Sequence, residues 1–168
     1  MTATDPTAFE FLYYNRWANL RLIDFLEALA PEQLESSSPG TYGSIYETLQ
    51  HVLRAETRYY QRVTGINLDP PFSWDDQPTL TKIRPYAEQV GSALLEAAGR
   101  LTSPGSIPVK WEDGSTANLK PLTWLIQVIN HGIEHRTNIT TILAQLGIEA
   151  PGLDGWSYTE ANLDRMGA

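Results

Sequence analysis

Apolar residues recur every three or four positions through four segments of this 168-residue chain, which commits most of it to amphipathic helices that must each bury one face. In the first segment Phe9, Leu12, Tyr13, Trp17, Leu20 and Ile23 fall within about 140° of arc on a helical wheel. Asp5-Pro6 supplies its start signal, and Ala30-Pro31 closes it. The second segment opens with Ser44 and Glu47 at the S-x-x-E spacing of a capping box. Ile45, Leu49, Val52, Tyr59, Tyr60 and Val63 form its stripe, and Gly65 stands where a C-terminal cap belongs. A third helix is expected from about Thr81 to Leu101, with Ile83, Val90, Leu94 and Leu101 inward and Pro85 tolerable only near the first turn. The fourth should run from Pro121 to Leu146, with Gly147 past its end.

The connections complete the expected fold. Ile66–Pro78 is Pro-rich and too long for a tight helix–helix turn, and Asp113-Gly114 centres a small hairpin over Ile107–Leu119. The tail from Gly152 to Tyr158 is rich in Gly and aromatics. The expectation is an all-α protein: a four-helix bundle, with a long crossover between helices two and three and a β-hairpin before helix four. No repeat or linker divides it, so residues 1–168 read as one domain. A chain of this size hides roughly 70% of its unfolded surface without a staple.

Composition narrows the function classes. With 42% apolar residues the chain is not of the disordered class. It has no cysteine, which excludes a disulfide framework, an iron–sulfur cluster and a cysteine nucleophile, and fits a reducing compartment. A net charge of −8 is the wrong sign for nucleic acid or an anionic membrane. No apolar run spans a membrane and Met1–Asp5 lacks signal-peptide character, so the expected location is cytoplasmic.

The three histidines carry the main chemical signal. His131 and His135 stand four residues apart on a predicted helix, so both imidazoles leave one face and can grip one metal ion. His51, on the second helix, offers a third ligand and would leave positions open for water or substrate. On the wheel all three flank their apolar stripes, at about −80° to −120°, where side chains converge on a cleft still open to solvent. An H-x-x-x-H pair by itself is also common on exposed helices; here the chain spends no histidine anywhere else.

Three charges fall inside the stripes: Arg16, Glu56 and Arg136, each within about 20° of its stripe reference. Buried charges persist only when paired, so a cluster of the three joining helices one, two and four is expected, unless rotation carries a member to the rim. Such a cluster would be structural, with an influence on the histidines from behind.

At these residues the chain resembles the DinB/YfiT-like family over nearly its whole length. Tyr14-Asn15-Arg16-Trp17-Ala18-Asn19 is similar to the family's opening signature, and Gly43 to His51 with Ala55-Glu56 to its second-helix pattern. Asn130-His131-Gly132 through His135-Arg136 resembles the fourth-helix pattern, and Leu146-Gly147 with Pro151 the exit. Thr137 and Asn138 depart from a Gly-Gln that many relatives carry. The resemblance implies a four-helix bundle, frequent homodimers, and three histidines, here His51, His131 and His135, binding one divalent metal. It also implies chemistry with low-molecular-weight thiols, since characterised relatives include metal-dependent thiol transferases and a thiol-dependent isomerase.

Three imidazoles accept Zn, Ni, Co, Cu, Mn or Fe, with Zn or Ni favoured here. A metal there can lower the pKa of water for hydrolysis, or hold a thiol as the attacking thiolate. With no cysteine in the chain, any sulfur nucleophile comes from a cosubstrate. Glu134 completes an H-x-x-E-H string in which a glutamate can act as general base, but its wheel position points away from the core. Phe72 and Trp74 in the crossover, and Trp156 and Tyr158 in the tail, are the expected aromatic walls of a small-molecule pocket, or covers for the helix ends. Tyr13, Tyr14 and Trp17 read as core or subunit interface. The competing readings are a metal-dependent hydrolase, a non-enzymatic metal-binding stress-response protein, and a subunit acting through an interface.

Overall fold

Local signals in the sequence set most of the element boundaries in the computed structural model, which describes residues 6–101, 105–111 and 113–166. The protein is mostly helical, with one small antiparallel sheet. Helix α1 spans Pro6–Leu26; Asp5, the other half of its expected start signal, lies outside the described residues. A four-residue helix α2, Pro31–Leu34, follows with Pro31 in its first turn. Helix α3, Ile45–Thr64, starts on the capping box, with Ser44 Oγ accepting from the Glu47 amide and Glu47 Oε2 from the Ser44 amide. It ends at Gly65, whose φ of 72° is left-handed.

The crossover holds one 3-10 turn at Trp74–Asp76 and leads into α4, Leu80–Arg100. Strands β1, Ile107–Lys110, and β2, Thr116–Leu119, pair with Ile107 opposite Leu119 and Lys110 opposite Thr116. Asp113 Oδ1 accepts from the Ser115 amide within the connecting turn. Helix α5, Pro121–Gln145, closes on Gly147: the Ile148 amide reaches Leu143 O and the Gly147 amide reaches Ala144 O, the paired bonds of a Schellman cap. The tail, rich in Gly and aromatics, folds into α6, Gly155–Ala161, and α7, Leu163–Met166. Asp154 caps α6, accepting from the amides of Trp156 and Ser157.

The four long helices pack in a ring of contacts: α1 against α4 and α5, and α3 against the same two. Their buried apolar residues fall into two clusters. One holds Leu12, Tyr59, Leu94, Ile107, Trp124 and Val128; the other holds Leu22, Ile45, Leu53, Ile83, Ile139 and Leu143. Between these along α1, α3 and α5 lie Asn15, Asn19, Glu56 and Arg136, all buried and polar. None of the described helices is long and apolar enough to cross a membrane.

Helix α1 is turned relative to the sequence expectation. Its buried residues, Leu12, Asn15, Ala18, Asn19, Leu22, Ile23 and Leu26, centre about 110° from the Phe9-based stripe. Tyr14 and Trp17 belong instead to a side seam, where the Tyr158 ring packs edge-on against both, at centroid separations of 5.7 and 5.3 Å. The apolar arc of α1 thus served two contacts at once, the core and the tail.

Candidate metal centre

Helices α3 and α5 run against each other, and their contact brings all three histidines together. One ring nitrogen from each of His51, His131 and His135 lies within 4.8 Å of the other two. His51 Nε2 and His131 Nε2 are 3.0 Å apart, and the ring centroids of His131 and His135 are separated by 4.4 Å. Tetrahedral Zn–N bonds would place two ligand nitrogens about 3.3 Å apart, inside the range found here. His135 is buried, while His51 and His131 are partly open.

The electrostatics favour the neutral, ligating form of imidazole. Burial pushes His131 down to about 4, helped by the neighbouring His135 and His51. His51 is lowered by burial, then by His135 and the Arg58 and Arg54 guanidiniums. His135 is lowered by burial, against an opposing pull from Glu134. The Nδ1 atoms of His131 and His135 are buried without a hydrogen-bond partner among the described residues. Neutral lone pairs crowded at one point fit a cation held by three nitrogens.

Two rings frame the cluster. Tyr42 lies over His51 with centroids 4.0 Å apart and meets His135 edge-on at 5.1 Å. Tyr59 meets His131 edge-on at 5.7 Å. The loop before α3 is pinned to α5 where the Tyr42 amide donates to Asn138 Oδ1 at 2.7 Å. Asn138, one of the two departures from the family pattern, therefore helps to place an aromatic wall. Beside His51 opens a cleft of about 660 Å³, lined by Tyr42, Glu47, Gln50, His51, Arg54 and Arg58.

The expected charge cluster takes a different form. Glu56 Oε1 accepts from Asn15 Nδ2 at 2.7 Å and from Asn19 Nδ2 at 2.9 Å. Arg136 Nη1 donates to the side-chain oxygens of the same two asparagines, at 2.8 and 2.7 Å. Two amides thus bridge a buried carboxylate and a buried guanidinium. Arg16 stands outside this network. It packs over Gly91 of α4, where a Cβ would lie 2.6 Å from its Cγ, and pairs with Glu88 at 2.8 Å. The rotation of α1 accounts for this, since it carries Arg16 to the rim and Asn15 and Asn19 inward.

Burial raises the Glu56 carboxyl, opposed by the two asparagine amides and the Arg136 charge; burial likewise lowers Arg136. The Arg136 guanidinium also lies 5.7 Å from the Tyr14 ring. Gly132 makes room for the bridge. A Cβ there would sit 2.5 Å from Asn15 Oδ1 and 2.8 Å from Arg136 Nη1. Since Gly132 and Arg136 each adjoin a histidine on α5, the bridge backs the histidine face from inside the core.

The aromatic residues expected to wall a pocket lie elsewhere. Phe72 and Trp74 pack edge-on against each other and against Tyr86 of α4, within the second apolar cluster. Tyr158 is buried on α1 and donates to Glu10 at 2.6 Å. Trp156 is 82% exposed. Phe72, Trp74 and Tyr158 cover helix surfaces, and it is Tyr42 and the polar side chains of α3 that line the cleft. Glu134 is exposed and stands outside the ligand-distance group. Sequence reasoning missed Tyr42, Asn15, Asn19, Arg54 and Arg58. The asparagines, spaced i, i+4, had a legible sign: their wheel positions share the arc of Leu12, Leu22 and Leu26.

The chain is similar to known proteins over most of its length. Protein DinB of Bacillus subtilis (strain 168) is 25% identical over 159 residues, covering 90% of this chain and 92% of that protein. The model of the DinB family matches residues 1–166, a span that contains α1, all three histidines and the tail, and the chain belongs to the DinB family.

Proposed function

We propose that this chain is a divalent-metal-dependent enzyme that transfers the sulfur of a low-molecular-weight thiol to a small electrophile. In this reading α1, α3, α4 and α5 form a four-helix bundle over one domain, and His51, His131 and His135 hold one Zn or Ni ion. The observation that carries it is the convergence of three imidazoles, kept neutral by burial, beside an open cleft. The absence of cysteine from the chain requires an external sulfur nucleophile. A divalent ion at the histidines supplies a Lewis-acidic centre that favours the thiolate form of a thiol cosubstrate.

The chain's own residues do the rest. His51 lines the cleft, and His135, in contact with it, is buried. Tyr42 lies over His51, touches His135 edge-on and forms part of the cleft wall. The Glu56–Asn15/Asn19–Arg136 bridge fixes α1, α3 and α5 in register behind them. Sulfur bonds to the electrophilic carbon, the leaving group departs with its electron pair, and the thiol proton goes to solvent. The same reading includes a homodimer. It is supported by an exposed apolar row on α5, where Leu122, Ile126 and Ile133 lie within about 40° of arc.

The test is thiol-dependent release of chloride from chlorodinitrobenzene by the Zn- or Ni-loaded protein, across a panel of small thiols. His51→Ala should lose more than the ~10–100-fold typical of losing a partner behind a metal ligand. A thiol-dependent rate that is unchanged in His51→Ala, or a metal-loaded protein that turns over no thiol in the panel, would overturn the proposal.

A further inference from the structure

Arg54 and Arg58 line the cleft beside His51, and both are exposed. They stand four residues apart, with His51 one turn before Arg54, so the three side chains leave one face of α3. Like charges at this spacing repel. The surroundings offer no relief. Among the described residues neither guanidinium makes a hydrogen bond or an ion pair, although the chain has 20 acidic residues against 12 basic ones. Arg16, Arg84 and Arg100, by contrast, each pair with a carboxylate. Glu47, the one carboxylate lining the cleft, accepts the Ser44 amide at the start of α3.

We propose that Arg54 and Arg58 form an anion-binding subsite, so that the molecule occupying the cleft is a small carboxylic or phosphoric acid whose anion sits on α3 and whose other end reaches the histidines. Guanidinium pairs bind such groups through forked, charge-assisted hydrogen bonds. Gln50 adds a neutral amide to the same wall. The concavity, with His51 in its wall, specifies a small molecule, and the net charge of −8 opposes a nucleic-acid backbone. The assignment deepens the proposed function by naming the substrate class, and the reach towards the histidines rests on that reading; anion binding itself does not.

Succinate, its neutral diamide and inorganic phosphate are the probes, titrated into chelator-treated and Zn-loaded protein and followed by backbone amide NMR. Succinate or phosphate should shift the Gln50, Arg54 and Arg58 signals saturably in both states, at least ~10-fold more tightly than the diamide. Which of the two anions binds more tightly distinguishes carboxylate from phosphate. Arg54→Gln/Arg58→Gln should abolish that preference and leave the Zn content and the circular dichroism unchanged. Equal response to anion and diamide, or a preference that survives in the double variant, would overturn the subsite. Because the metal-free arm needs neither metal nor thiol, failure of the metal-dependent reading leaves this result standing, and the reverse also holds.

Discussion

Glu56→Ala is expected to lower stability by about 3–5 kcal/mol, because it leaves the Arg136 guanidinium buried without its counter-charge. The side-chain amides of Asn15 and Asn19 would lose their shared acceptor in the same step. For a chain of this length that is a fall in Tm of roughly 10 °C or more. The cost should come from the orphaned charge more than from lost volume. Glu56→Leu combined with Arg136→Met should therefore recover at least half of it, although two asparagines then face apolar neighbours. Denaturant unfolding of wild type, both single variants and the double variant measures the cycle. A loss under about 1 kcal/mol in Glu56→Ala would mean that the bridge contributes little and that apolar packing alone holds the waist of the protein.

The second large effect concerns metal and pH together. Zn at a hundred times its Kd should stabilise the protein by about 2.7 kcal/mol, a rise in Tm of roughly 5–10 °C, and His51→Ala should show none of it. Without metal, the three imidazoles titrate below their ordinary 6.5, His131 at about 4. Between pH 6.5 and about 4 the unfolded chain therefore binds protons that the folded chain refuses. Stability of the chelated protein rises with pH across that window and is lost on acidification through it. Protons compete with the metal over the same range, so the Zn-dependent gain also fades on acidification. Thermal scans of chelated wild type and of the triple His→Gln variant separate this slope from that of the carboxylates. Parallel pH profiles for the two proteins would contradict the assignment of depressed pKa values to this cluster.

Much of the fold was legible because its signals are local. The Ser44–Glu47 capping box, Gly65, Pro121 and Gly147 each act within one turn of helix, and each marks an observed boundary. The Asp113-Gly114 turn likewise sits between two paired strands. Helices α2 and α6 escaped notice because four and seven residues are too few for apolar periodicity to show. The rotation of α1 escaped for another reason: Tyr13 and Trp17 are apolar enough to pull the stripe towards them, yet Trp17 packs on the tail and Tyr13 is 37% exposed. Placing Arg16 in the core followed from that displaced stripe.

At the site, the spacing of His131 and His135 and the solitary His51 were enough to single out the residues that the fold brings together. The cleft was not legible. Its walls depend on where the loop carrying Tyr42 crosses α5, a contact between residues 96 positions apart. Arg54 and Arg58 look, in sequence, like any solvated helix face; what sets them apart is the cleft they line beside His51 and, among the described residues, the lack of an ion pair to either.

In the proposed reading His51, His131 and His135 hold one divalent ion. The most direct measurement is elemental analysis of protein purified without an affinity tag or added metal, beside the His51→Ala/His131→Ala/His135→Ala variant. About one divalent ion per chain in the wild type and none in the variant is the predicted result. Wild-type protein that takes up no ion even after incubation with Zn, Ni or Mn salts, or a variant that keeps the full complement, would contradict the account.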